Sequence, residues 1–170
     1  MISPALQQLY DEHEVIQRAI DRLQILLASP DLASQADELR ALLLFFRQYA
    51  DGYHHRKEED LLFLALAAAN PAIESLTGSL AEHHELFRES LASAEAAMDA
   101  DDWETARTTF DQYASGLIDH MSAENDELFV AADDMMSESE LDRLYYQFQD
   151  ADRELGVERK QLLEMEMSNG

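Results

Sequence analysis

Apolar positions recur at spacings of three and four along nearly the whole chain, the period of helices that each bury one face. The first stripe runs Leu6, Leu9, Ile16, Ile20, Leu23 and Leu27, behind Ser3-Pro4, an N-cap with proline in the first turn. Ser29-Pro30 ends that helix, and residues 30–34 read as a turn. A second helix starts near Ser34, turns Leu39, Leu43, Phe46, Ala50, Leu61, Ala65 and Ala68 inward, and stops at Asn70-Pro71. Gly52 in its middle costs about 1 kcal/mol of helix propensity against alanine and marks either a close neighbour or a bend. A third helix, starting between Ala72 and Ser79, carries Leu76, Leu80, Phe87, Leu91, Ala94 and Met98. The acidic turn 99–102 precedes a fourth, which runs to about Ala132 with Phe110, Tyr113, Leu117, Leu128 and Ala131 facing in. Ser137 and Glu140 have the spacing of a capping box. They open a shorter fifth helix bearing Leu141, Leu144, Tyr145 and Phe148, closed by Gly156, and residues 157–170 read as one more helical stretch that frays at its end. The pattern predicts an all-α fold: an up-down-up-down four-helix bundle over residues 1–133, with a C-terminal helical extension, residues 134–170, packed on it.

Each long helix breaks its apolar stripe with a histidine: His13, His54, His84 and His120. In an antiparallel hairpin two residues lie level when the turn falls halfway between them. The midpoints of successive histidines are 33.5, 69 and 102, and the turn signals stand at 30–34, 70–71 and 99–102. The agreement is within about two residues, or roughly 3 Å at the helical rise, so four imidazoles should meet in one layer. Two of them open a repeat. HHRKEEDLLF from His54 and HMSAENDELF from His120 share H-x-x-x-E-x-D-x-L-F. On a helix this stacks Glu58 over His54 and Glu124 over His120. Buried carboxylates need counter-charge, which a pair of divalent or trivalent metal cations would supply. Nitrogen and oxygen donors without sulfur suit iron, manganese, zinc or cobalt, and two histidines per ion with shared carboxylates suit a pair of irons.

Composition narrows the rest. There is no cysteine, so disulfides and thiolate ligands are excluded. A formal charge of −24, from 36 acidic against 12 basic residues, argues against nucleic acid and against anionic lipid as partners. No run of 18 apolar residues is present to span a membrane, and the opening MISPALQQLYDEHE lacks the marks of a signal peptide, so a cytoplasmic protein is expected.

With His13, HHRKEEDLLF, EHHELF and HMSAENDELF in place, the chain from about residue 5 to 132 resembles the hemerythrin-like (HHE cation-binding) family. The resemblance implies a non-haem pair of iron ions per chain, oxo- or hydroxo-bridged, that binds dioxygen. Other divalent metals fit the same donors. Carried over by motif, it makes His13, His54, His84 and His120 terminal ligands, with Glu58 and Glu124 bridging. Two departures stand out. Oxygen carriers have H-x-x-x-H on the third helix, where this chain has Leu80 before His84; they have H-x-x-x-x-D on the fourth, where this chain has His120-x-x-x-Glu124. The site resembles the four-histidine, two-glutamate variant of sensor, iron-handling and stress-response members, which implies binding of dioxygen or a related ligand such as nitric oxide. His83 is the alternative to His84, whose apolar partners at +3 and +7 favour it. His55 reads as a residue behind the ligands or at the surface, while Tyr10, Tyr53 and Tyr113 could hydrogen-bond a ligand but more often serve packing. Two other functions fit the same donors: an enzyme that oxidises ferrous iron or reduces peroxide or nitric oxide, and a metal-dependent interaction protein docking a partner through Tyr145, Tyr146 and Phe148.

Overall fold

Local signals set the helix ends. Ser3 Oγ accepts from the Leu6 N–H at 3.3 Å and Pro4 opens α1 (Pro4–Leu27). Asp31 holds the turn that follows, accepting from the Ser34 N–H at 3.3 Å and from Ser34 Oγ at 2.7 Å. After a single 3₁₀ turn (Ala33–Gln35), α2 runs unbroken over residues 36–69. Asn70, extended at φ −152°, stops it and accepts from the Ala72 N–H at 3.0 Å. A second 3₁₀ turn (Pro71–Ile73) leads to α3 (Glu74–Asp99). Asp101 takes a left-handed φ of 56°, and Asp102 caps α4, residues 103–135, by accepting from the Thr105 N–H at 3.1 Å. The Ser137–Glu140 capping box forms at the head of α5 (Glu138–Leu155), Gly156 at φ 95° breaks the chain direction, and α6 (Val157–Ser168) ends the fold. This computed structural model describes residues 2–169, and among them there are six helices and no strand. None of these helices is long and apolar enough to cross a membrane.

Two of the long rods are not uniform α-helix. In α2 the segments Phe46–His55 and Glu58–Leu62 are π-helical, and in α4 so is Glu124–Leu128. The Phe63 N–H reaches back five residues to Glu58 O, and the Phe129 N–H to Glu124 O. Such wide turns are uncommon and concentrate at functional positions. Gly52 sits inside the first of them: a Cβ there would lie 3.1 Å from Arg47 O, a carbonyl of its own helix. Its role is therefore the wide turn itself rather than contact with a neighbouring helix.

The apolar interior is split in two. One part joins the C-terminal halves of α1 and α3 to the N-terminal halves of α2 and α4, with Phe46, Phe110 and Leu117 at its centre and Leu163 and Met167 of α6 against it. The other joins the opposite halves around Leu9, Leu62, Leu66 and Phe129, closed by Leu141, Leu144 and Phe148 of α5. Between them lies a polar layer. Because Phe148 is fully buried where α5 meets that second part, Phe148→Ala is predicted to cost about 3–5 kcal/mol, measured as a lowered denaturation midpoint.

Candidate metal centre

The polar layer holds His13, His54, His55, His84, His120, Glu58 and Glu124, all buried. Their donor atoms fall into two groups, each with every atom within 4.8 Å of the others: His13, His54, Glu58 and Glu124, and His55, Glu58, His84 and His120. Each carboxylate faces both. Glu58 Oε1 lies 3.2 Å from His54 Nε2, while its Oε2 lies 3.5 Å from His84 Nε2. Glu124 Oε2 lies 3.2 Å from His13 Nε2, while its Oε1 lies 3.0 Å from His120 Nε2. His84 Nε2 and His120 Nε2 are 2.9 Å apart, aimed at the same point.

The sequence repeat appears here as an approximate twofold exchange of α1–α2 with α3–α4. Both copies place a wide turn directly after the shared glutamate. Both end in a phenylalanine laid on the histidine of another helix: Phe63 on His84, centroids 5.9 Å apart, and Phe129 on His13, 5.3 Å apart. The residue after each glutamate accepts from the outer nitrogen of that same histidine, Glu59 from His84 Nδ1 at 2.6 Å and Asn125 from His13 Nδ1 at 2.7 Å. The residue before each odd-helix histidine holds the histidine of the next helix: Glu12 accepts from His54 Nδ1 at 2.7 Å, and His83 meets His120 Nδ1 at 3.3 Å. Each inward nitrogen thus has its ring fixed from behind, the arrangement that sets tautomer and aim in metal-ligating histidines.

The exchange breaks at one position inside the layer. His55 corresponds to Met121 of the second copy, and it is neither exposed nor behind another ligand. Its ring stacks on His84 at 3.9 Å with an interplanar angle of 11°, placing a fifth imidazole in the layer. An α-helical reading turns His55 away from the stripe; the wide turn that ends at this residue brings it back. Of the remaining candidates, His84 points into the layer and His83 lies behind His120. The Tyr10 hydroxyl donates to Asn125 O at 2.9 Å. Tyr113 packs edge-on against Phe46 and Phe87, the latter covering His120. Tyr53 points away from the layer, toward Glu12. Glu12, Lys57, Glu59, Asn125 and Asp152 are contributors that periodicity did not single out. Glu12 and Asn125 flank candidate ligands directly in sequence, and that adjacency was the available signal.

The layer's electrostatics are set by burial and by its two carboxylates. Burial opposes charge on His54, yet the Glu58 carboxylate and the Glu12 hydrogen bond outweigh it and push its pKa up to about 10. His84 is pushed up to about 9 against its burial, by the nearby Glu124 carboxylate and by its bond to Glu59. Burial, reinforced by the charges on His84 and His54, drives His55 the other way, well below the ordinary histidine range. Among the described residues, the buried side-chain atoms without a hydrogen-bond partner are His13 Nε2, His54 Nε2, both ring nitrogens of His55 and all four oxygens of Glu58 and Glu124. Native interiors rarely leave such atoms orphaned, and here every one belongs to this layer. Nitrogen and carboxylate donors converging without sulfur can hold borderline or hard metal ions.

Residues 5–132 match the hemerythrin HHE cation binding domain. No curated protein and no solved structure matches the chain. Its helical fold, its repeated motif and this matched span place the chain in the hemerythrin HHE cation-binding family.

Proposed function

We propose that the layer holds a pair of iron ions and that the protein binds dioxygen or nitric oxide there, for sensing or scavenging. The observation that carries this reading is the set of orphaned buried donors, which a cation pair would satisfy together. Distances among them support it. Neighbouring donor atoms stand 2.9 Å (His84 to His120) to 3.2 Å (His54 to Glu58) apart, close enough for one ion to take both.

The two halves differ in donor supply. His13 and His54 would hold one ion with an oxygen from each glutamate, and His55, His84 and His120 would hold the other with the glutamates' remaining oxygens. The His13–His54 group offers one imidazole fewer, and the protein leaves room beside it. A cavity of about 260 Å³ between α1 and α4 is lined by Tyr10, His13, Glu14, Gln17, Met121 and Ser122. Reduced iron held in that half would supply an electron to a diatomic ligand. The chain's part is to hold His13 through Asn125, to fix His54 through Glu12, and to keep bulk water out with Phe129 and Phe63.

Protein loaded anaerobically with ferrous iron is expected to retain about two ions per chain, by metal analysis. It should change its visible absorption stoichiometrically on exposure to dioxygen or nitric oxide; an iron-loaded protein indifferent to both ligands removes the reading. His54→Ala, Glu58→Ala and His55→Ala should each lower iron content, whereas His83→Ala, behind His120, should keep most of it. Ser122→Trp, which fills the cavity beside His13, should slow ligand association severalfold in stopped flow with iron content unchanged. Equal rates would place the route elsewhere.

A further inference from the structure

Behind His54 lies a second buried polar group that the metal centre does not need as ligands. Glu12 and Lys57 are each 2% exposed, and Asp152 of α5 is 8% exposed. Glu12 uses one oxygen to accept from His54 Nδ1 at 2.7 Å. Its other oxygen faces the Lys57 ammonium and, at 2.8 Å, the Tyr53 hydroxyl. That hydroxyl also makes a short contact with Asp152 Oδ1 and lies 3.0 Å from Lys57 Nζ and 3.1 Å from Gln8 Nε2. Lys57 Nζ further sits over the Tyr53 and Phe148 rings, at 4.1 and 4.7 Å from their centroids. The matching arm of the other half is different: behind His120 stands His83, a partly exposed imidazole at 3.3 Å, where His54 has a buried carboxylate. Only the His54 arm ends beneath α5, which lies beyond the matched span 5–132.

The Tyr53 hydroxyl has one proton and two carboxylates to receive it. Lys57 and Gln8 can only donate to it, so they do not settle the choice. If the proton goes to Asp152, Glu12 keeps its full charge for Lys57 and for the His54 N–H. If it goes to Glu12, that carboxylate pulls less on His54. We propose that Asp152 is a positioning residue for the metal centre: by taking the Tyr53 proton it leaves Glu12 free to polarise His54, so that α5 tunes the His13–His54 ion. A stronger acceptor behind a ligating imidazole raises its basicity, and a more basic ligand favours the oxidised ion.

This rests on His54 serving as an iron ligand, so the test has one arm that needs no iron. In the metal-free full-length chain, the His54 Nδ1 proton resonance, assigned by its loss in His54→Gln, reports the strength of the bond to Glu12. Asp152→Asn should move it upfield, and in the iron-loaded protein the same substitution should raise the midpoint potential. Asp150→Asn, exposed on the same helix, should do neither. Tyr53→Phe removes the disputed proton, so adding Asp152→Asn to it should produce no further change in either readout. An unmoved resonance in Asp152→Asn, or an equal shift with and without the Tyr53 hydroxyl, overturns the proposal. A moved resonance in a chain that takes up no iron would support the link from Asp152 to His54 and overturn the iron reading alone.

Discussion

Two carboxylates with no solvent exposure, set among five imidazoles, are the constraint on which this structure turns. An unpaired buried charge is among the costliest features a protein interior can contain. Protons on His54 and His84 meet part of that demand in the metal-free chain, as their raised affinities show. Metal binding must displace protons from such ligands. The two apolar parts of the interior, above and below, exclude the water that would otherwise solvate the layer, so the charge must be balanced from within.

The wide turns are what let two helices meet that demand densely. A backbone bond from residue i+5 to i adds a residue to the turn, so neighbouring side chains diverge less than on an α-helix. Glu58 and Glu59 can then both reach histidines, one from inside the layer and one from behind, and Glu124 and Asn125 repeat the device. The same widening brings His54 and His55 into one site. Gly52 belongs to this geometry because the Arg47 carbonyl crowds the position where a side chain would start.

Much of the fold was legible in the sequence because it was written in caps and periods. Ser3-Pro4, Asn70-Pro71, Asp102, the Ser137–Glu140 box and Gly156 all act at helix ends by local chemistry. The convergence of histidines was legible because equal spacing about a turn survives small errors in the turn's position. His55 was not, since the 3.6-residue period that directs it outward does not hold from Phe46 to His55. Glu12, Lys57 and Asp152 were not either. Each reads as an ordinary charged surface residue, and only the packing of α5 over α1 and α2 buries them together.

The near-twofold exchange has a consequence for any comparison between sites. Each hairpin delivers one glutamate, one phenylalanine plate and one supporting residue to its twin, so neither encloses a complete cage alone. Every supporting residue therefore comes with a counterpart of similar placement and different chemistry: Glu12 with His83, Asn125 with Glu59, His55 with Met121. The molecule carries its own matched control, in which the influence of a carboxylate, an amide or a missing imidazole is reported by two pockets sharing one chain, one solvent and one pair of buried carboxylates.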